Sequence, residues 1–473
     1  MEPAGASVSS GKEEAYKRRI AELEAENLAL RERLAKLSKN SSNSSKPPSS
    51  DIVKPPKHKN AKGSKSRKKN RKIGGQVGHE KHEREPFDAE DIDDVRQYEL
   101  CGCPYCGGRV SPRRGKTRVV QQVELIPRPV EIIEHRAEGG WCRRCKRFVH
   151  ASLPASVKRG GLLGPELTAL VGYLKGVCHA SFSTIRKFFR DVLAIRISRG
   201  QLAKVVRKVS AAIAPAYDGL RAALPREPVL NVDETGHKDS GKRLWTWCFR
   251  AELYTLFKID PSRGSDVLID VLGAEFNGVL GCDYFSAYRK YMTDFSVELQ
   301  FCLAHFIREV KFIQTLPGER ERVYAERLLN ALRTMFAIVH RRGKMSARRF
   351  QQSMAGARED IINAATWVPP RCKQARALAA RLKRHGHAYF KFITTPGVQP
   401  TNNLAEQAIR FCVIDRKITQ GTRGESGRRW CERIWTAVAT CAQQSRSVFP
   451  FLRDAVYAHF ENRPIPTLHP AGP

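Results

Sequence analysis

A chain of 473 residues is longer than one hydrophobic core usually organises, so several domains joined by linkers are expected. Its 83 Lys and Arg against 48 Asp and Glu leave a formal charge of +35, which favours a phosphate-rich partner because neutralising phosphates releases counterions. Thirteen cysteines in so long a chain do not read as the framework of a small secreted scaffold. The first twenty residues lack an apolar signal core, and no apolar run approaches the ~20 residues that span a bilayer, so a reducing cytoplasm and no membrane partner are expected. Cys178, Cys248, Cys282, Cys412 and Cys441 stand singly in apolar context, as small hydrophobes do.

Residues 12–38 read as a short leucine zipper. With Ile20, Asn27 and Leu34 at a, Leu23, Leu30 and Leu37 fall at d, and Tyr16 lies one heptad earlier than Leu23. Arg19 would face Glu24 of a second chain and Glu26 would face Arg31, which favours a parallel homodimer or higher assembly. Residues 39–85 then lose all periodicity. They open on a serine, asparagine and proline segment and continue with Lys57, Lys59, Lys62, Lys65, Arg67, Lys68, Lys69, Arg71 and Lys72, the composition of a basic disordered linker.

Over 86–152, Cys103-Pro-Tyr-Cys106 and Cys142-Arg-Arg-Cys145 flank alternating residues Val119, Val123, Leu125, Val130, Ile132 and Ile133. Two such knuckles joined by strand-like sequence predict a zinc ribbon with one structural Zn²⁺ on Cys103, Cys106, Cys142 and Cys145; Cys101 is an alternative to Cys103. Residues 160–225 show helical stripes. Ser183 is expected to cap a helix with Ile185, Phe188, Phe189, Val192 and Leu193, and Ser198 one with Leu202, Val205, Val206 and Val209. The spacing fits a helix-turn-helix presenting Arg199, Gln201 and Lys204 to a major groove, and equally a plain helical hairpin.

From 226 the pattern turns to strands: Pro228 to Asp233, Leu244 to Phe249, Leu253 to Ile259, Gly278 to Asp283 and Val297 to Phe301, with helices from about Arg263 to Leu272 and around Ala287 to Tyr291. The order β-β-β-α-β-α-β is that of an RNase H-like core whose first and fourth strands lie side by side. Asp233 and Asp283 each end one of those two strands. After a helix-rich stretch, Asn402 or Asn403 is expected to cap a helix with Glu406 in its first turn and Arg410 one turn later. Three carboxylates in so basic a chain predict a site for two Mg²⁺ or Mn²⁺ ions acting on a phosphodiester, with Asp233, Asp283 and Glu406 as ligands.

The segments Asn43-Ser-Ser-Lys-Pro-Pro-Ser-Ser-Asp51, Cys103-Pro-Tyr-Cys106, Asp233-Glu-Thr-Gly236, Cys302-Leu-Ala-His305 and Asn402-Asn-Leu-Ala-Glu406, followed by Arg416, Lys417 and Gly421, resemble the transposases of the insertion sequence 66 family over nearly the whole chain. That resemblance implies a DDE transposase, bacterial and nucleoid-associated, with Asp233, Asp283 and Glu406 as the catalytic triad. It implies double-stranded DNA, both element ends and target, as substrate, and allows accessory proteins of the same element. Arg410, Arg416, Lys417 and Arg423 are then candidates for holding the scissile DNA. Cys302 and His305, three apart on one helix, could bind a metal, but two ligands do not complete a site, so they are read as an accessory pair that orients a carboxylate or packs locally.

The expected fold is a multidomain α+β protein: N-terminal coiled-coil helix, zinc ribbon, helical DNA-binding region, and an RNase H-like α/β catalytic domain over 226–445. That domain carries an all-helical insertion at about 314–397 and is followed by a C-terminal tail over 446–473. Readings from other classes are a non-catalytic DNA-binding regulator and a zinc-ribbon RNA-binding protein.

Overall fold

The structure, a computed structural model, describes residues 7–40, 43–44, 85–98, 105–110, 119–127 and 129–469. It divides into one unit of Met1–Pro55 with His135–Pro473 and a second of Pro56–Glu134. The expected basic linker lies almost wholly outside the described residues. In the second unit the described backbone forms one short 3₁₀ turn at Ala89–Asp91, and Gln121 exchanges hydrogen bonds with the backbone of Phe87. The alternating residues here form no strand among the described residues. Val119, Val123, Leu125, Ile132 and Ile133 are exposed, and alternation without a paired neighbour does not hold a strand.

In the first unit, α1 (Ser7–Leu37) is one continuous helix with Tyr16, Ile20, Leu23, Leu30, Leu34 and Leu37 all exposed along it. Arg19, expected to face a second chain, pairs within the helix with Glu22 at 3.0 Å. A hairpin of β1 (Gly139–Cys142) and β2 (Arg147–His150) turns through the second cysteine pair.

Five helices follow: α2 (Ala155–Gly160), α3 (Pro165–Gly176), α4 (Phe182–Asp191), α5 (Arg199–Ala212) and α6 (Ala214–Ala223). Ser181, not Ser183, caps α4 by accepting the Thr184 N–H at 3.0 Å; Ser183 lies inside the helix, where its backbone already has helical geometry. Ser198 and Gln201 form a reciprocal capping box at the start of α5. Leu202, Val205, Val206 and Val209 are buried there beside Ile185 and Phe189 of α4.

The centre of the unit is a five-stranded sheet in the order β5-β4-β3-β6-β7. β3 (Val229–Asp239), β4 (Lys242–Arg250) and β5 (Thr255–Asp260) form an antiparallel meander. α7 (Asp266–Leu272) leads to β6 (Val279–Cys282), which pairs parallel with β3, and α8 (Ser286–Phe295) leads to β7 (Glu298–Phe301), parallel to β6. β6 is apolar throughout and fully buried, as a central parallel strand requires.

Beyond the sheet come α9 (Leu303–Gln314), α10 (Glu319–His340), α11 (Ala347–Thr366) and α12 (Lys373–His385), then α13 (Asn403–Thr419), α14 (Glu425–Gln443) and α15 (Val448–Glu461). α14 covers the open edge of β5 with a polar ladder one turn apart. Glu432 accepts the Ile259 N–H at 2.7 Å, Thr436 that of Phe257 at 3.0 Å and Thr440 that of Thr255 at 3.2 Å. Backbone donors that would otherwise invite another strand are thereby satisfied. The segment expected as a C-terminal tail instead carries α15, which packs on α3 and α5 and buries Phe451, Leu452, Ala455, Val456 and Phe460. Its apolar residues recur three and four apart, so a helix rather than a tail is the physical outcome. Among the described residues no helix is long and apolar enough to cross a membrane.

Candidate active site

Asp233 lies within β3 and Asp283 immediately follows β6. Because Asn231 pairs with Gly281 in the parallel register, counting two residues on in each chain places the two aspartates at matched positions on neighbouring strands. Gly281 is required for that pairing. A Cβ there would come within 2.5 Å of Asn231 Nδ2, which is occupied in binding Asn402 Oδ1 at 3.0 Å.

Asn402 stands at the N-cap of α13, but its side chain does not cap the helix. It turns to the sheet, donating from Nδ2 to the Val232 carbonyl at 2.8 Å, while its own N–H reaches Cys302 Sγ at 3.1 Å. Glu406 sits one turn later, in the first turn of α13. A loop pins the far end of this helix. Thr422 pairs with the backbone of Lys238 and Ser240, and Gly421 at φ +90° passes so close to the Lys238 carbonyl that a Cβ would lie 2.2 Å from it.

The carboxylates feel one another. Burial, then the charges of Glu234, Asp283 and Glu406, push the Asp233 carboxyl well above its ordinary range; the N–H of Glu234 at 3.0 Å from Oδ1 only partly offsets this. Burial and then Glu234 raise Asp283 to about 7, opposed by the Phe285 N–H on Oδ1 at 2.9 Å and by Arg263. Such clustering costs free energy unless a cation or a proton is present.

Glu234 is the acidic neighbour of Asp233, and its oxygens are already committed. Arg263 reaches Oε1 from Nε at 2.9 Å and from Nη2 at 2.6 Å, and the Tyr288 hydroxyl donates to Oε2 at 2.5 Å. Arg263 is itself held between the rings of Trp245 and Phe285, at 4.4 and 4.0 Å from their centroids.

Glu406 has a second set of neighbours. Arg308 Nη2 lies 3.4 Å from both its oxygens, and His305 Nδ1 lies 3.6 Å from Oε1. Among the described residues, the one trio of possible ligands with atoms all within 4.8 Å of one another is Cys302, His305 and Glu406, not the three carboxylates. Asp233, Asp283 and Glu406 therefore converge on one end of the sheet without forming a closed cage.

A family model described as Transposase IS66 family matches residues 160–429, more than half the chain. The chain belongs to the IS66 transposase family. A second model, of a family of unknown function, matches residues 5–85. The chain is also similar to the uncharacterized protein y4hP of Sinorhizobium fredii, 22% identical over 406 residues that cover 78% of this chain and 72% of that protein. Membership in the IS66 family implies a transposase role and, with it, DNA as a partner.

The positions expected to bind DNA in this IS66 transposase fall into two groups. Arg199 and Lys204 are exposed on α5, whereas the exposed Gln201 uses its side chain to cap that helix. Arg410, Lys417 and Arg423 are exposed on or just after α13; Arg416 is half-buried and donates to Thr235 Oγ1 at 3.2 Å, on the same face of β3 as Asp233. Of the expected zinc ligands, Cys103 lies outside the described residues and Cys106 belongs to the second unit. Cys142 and Cys145 form a tight knuckle in which the Cys145 N–H points at Cys142 Sγ at 3.4 Å, and this contact leads in holding the Cys142 thiol below its usual range. All the described cysteines are free thiols; Cys248, Cys282, Cys412 and Cys441 are buried as their context predicts, whereas Cys178 is exposed past the end of α3.

Sequence reasoning missed Asn231, Arg263, Tyr288 and Arg308. Only Arg308 carried a signal, being three residues after His305 on the same helical face.

Proposed function

We propose that this IS66-family chain is a DDE transposase in which Asp233, Asp283 and Glu406 serve as the catalytic carboxylates for cutting and rejoining DNA at the terminal inverted repeats of its element. The observation that carries this reading is the matched placement of Asp233 and Asp283 on the neighbouring parallel strands β3 and β6, with Glu406 brought to the same end of the sheet by Asn402. The strand order β5-β4-β3-β6-β7, with β4 antiparallel to its neighbours, supports an RNase H-like core. Helices within about 314–397 are the insertion in that core.

Three carboxylates at one end of the sheet, two of them held above their ordinary range by burial first and then by the charge of neighbouring Glu234, are a donor set suited to hard divalent cations, Mg²⁺ or Mn²⁺. When bound, two such ions supply Lewis-acid activation of the attacking oxygen and stabilisation of the leaving one. The chain's own residues do the rest. Arg263 neutralises Glu234 so that this carboxylate does not compete as a ligand, and Arg416 fixes the face of β3 beside Asp233. Exposed Arg410, Lys417 and Arg423 offer cations to the phosphates of the scissile strand.

Around this core we assign α1 to a parallel zipper that makes a homodimer or higher assembly, Cys103, Cys106, Cys142 and Cys145 to one structural Zn²⁺, and α4–α5 to recognition of duplex DNA at the element ends. Asp233→Asn, Asp283→Asn and Glu406→Gln are each expected to abolish Mg²⁺-dependent cleavage and strand transfer on duplexes carrying the terminal repeats while leaving duplex binding within a few-fold of the parent. Cleavage retained in any one variant removes that residue from the site. Binding without cleavage by the parent itself favours a regulator over an enzyme.

A further inference from the structure

Cys302, His305 and Glu406 bring a sulfur, an imidazole nitrogen and a carboxylate oxygen within 4.8 Å of one another, from the end of β7, the first turn of α9 and the first turn of α13. His305 Nδ1 is buried and makes no hydrogen bond; at 3.6 Å from Glu406 Oε1 it is too far to share a proton with it. A buried polar atom aimed at two other donors and left without a partner calls for an explanation. Burial raises the Cys302 thiol above its usual range, so it rests protonated, but the backbone N–H groups of Asn402, His305 and Ala304 are directed at its Sγ and pull the other way, ready to support a thiolate once a cation is beside it.

We propose that these three side chains form a site for a thiophilic divalent cation, with Zn²⁺ as the chemically matched ion. Sulfur and imidazole ligands select Zn²⁺ over Mg²⁺, and three protein ligands leave one coordination position for water. Binding would release the Cys302 proton to solvent as the Zn–S bond forms. One group opposes the ion. Arg308 sits 3.4 Å from both Glu406 oxygens and places Nη1 3.4 Å from His305 Nε2. An ion on Nδ1 leaves the ring proton on Nε2, facing that guanidinium, so Arg308 must swing away for the site to fill.

Glu406 is shared between this site and the trio of carboxylates. Resting on the catalytic reading above, the consequence is that Zn²⁺ withdraws Glu406 from Asp233 and Asp283 and inhibits the Mg²⁺-dependent reaction. The site is a switch in which one carboxylate is claimed by either of two classes of metal ion.

The test uses the full-length chain with Zn²⁺, and with Co²⁺ as a spectroscopic stand-in whose thiolate charge-transfer band reports Cys ligation. The parent is expected to bind one more Zn²⁺ than Cys302→Ser and than His305→Gln, the second variant guarding against misfolding of the first. Cys142→Ser, which touches only the separate knuckle, should keep that additional ion. Glu406→Gln should weaken the site at least tenfold, and Arg308→Ala should tighten it by a similar factor. In cleavage assays with Mg²⁺, one equivalent of Zn²⁺ beyond the structural ion should slow the parent at least tenfold and leave the residual activity of Cys302→Ser unchanged. Equal Zn²⁺ stoichiometry and equal Co²⁺ spectra in parent, Cys302→Ser and His305→Gln would overturn the proposal. If no protein cleaves DNA while the Cys302-dependent ion is retained, the catalytic reading and the inhibition fall and the metal site stands.

Discussion

Asn231 on β3 donates from Nδ2 to Oδ1 of Asn402, the residue just before α13, across 3.0 Å. With the second amide donor of Asn402 on the Val232 carbonyl at 2.8 Å, the pair fastens the helix carrying Glu406 to the strand carrying Asp233. Both asparagines are buried. Asn402→Ala is therefore expected to strand one donor and one carbonyl, costing about 1–3 kcal/mol. Strand transfer should fall by more than the loss of folded protein accounts for, because Glu406 loses its register against Asp233. Asn402→Asp should not rescue it, since an acceptor would then face the Val232 carbonyl. Urea unfolding alongside transfer assays checks both halves; an Asn402→Ala protein with parental activity per folded molecule would detach Glu406 from this tether.

The crowding of Asp233, Asp283 and Glu234 sets function against stability. A carboxyl raised to about 7 in the folded chain keeps a proton that the unfolded chain has already lost above about pH 4, so the contribution of Asp283 to stability falls as pH rises from about 4 to about 7, opposite in sign to that of buried His237. Divalent ions offset that loss. In the absence of metal at pH 8, Asp233→Asn should raise stability while removing activity, because it relieves a buried charge that Glu234, Asp283 and Glu406 oppose. Added Mg²⁺ should raise the melting temperature of the parent more than that of the variant. Identical melting curves with and without Mg²⁺ for both proteins would count against a cation at this end of the sheet.

The strand pattern was legible because each strand is short, apolar and bounded by turn residues, and β6 is the plainest case. The sequence order also carried the neighbouring placement of β3 and β6, since a crossover helix returns the chain beside its first strand. Boundaries shifted where side chains supplied what backbone propensity does not. β3 runs six residues past Asp233, to Asp239, because that aspartate is held by Thr422 and the Gly424 N–H, contacts more than 180 residues away. Ser181 and Ser183 were indistinguishable as caps by residue type. Nothing in the spacing of Cys302, His305 and Glu406 announced their convergence, because it depends on α13 starting where Pro400 accepts the Leu303 N–H at 3.0 Å. The alternating run before Cys142 shows the opposite failure: a strand-like sequence whose exposed residues have no pairing strand among the described residues.

The polar ladder on α14 gives a prediction remote from the chemistry. Thr436 is fully buried and its hydroxyl is the acceptor for the Phe257 N–H on edge strand β5. Thr436→Val keeps the shape and removes the acceptor, so the variant should lose about 1–3 kcal/mol. Thr436→Ser should lose less, retaining the hydrogen bond and giving up only a methyl group. Affinity for duplex DNA should not change in either. Equal stability of the valine and serine variants would show that the ladder contributes shape rather than hydrogen bonding.

Loss of stability on acidification should reside in two histidines, His237 and His305. The His237 ring is buried on β3 between Thr422, with Oγ1 3.0 Å from Nε2, and Thr246, with Oγ1 3.3 Å from Nδ1. Burial first, then the charges of Arg416 and Arg428, lower its pKa to about 4, with Asp239 alone pulling the other way. The unfolded chain takes up this proton as pH falls through 6.5, and the folded chain does so only near 4, so stability is lost across that window. The two and a half units between those values correspond to roughly 3 kcal/mol. His305, lowered to about 4 by burial and by Arg308, contributes in the same direction and sits apart from this network. His237→Gln keeps a polar side chain between the two threonines without a titrating proton, and should flatten roughly half of the decline in urea midpoint between pH 7 and pH 5. A variant that declines as steeply as the parent would assign the acid transition to other groups.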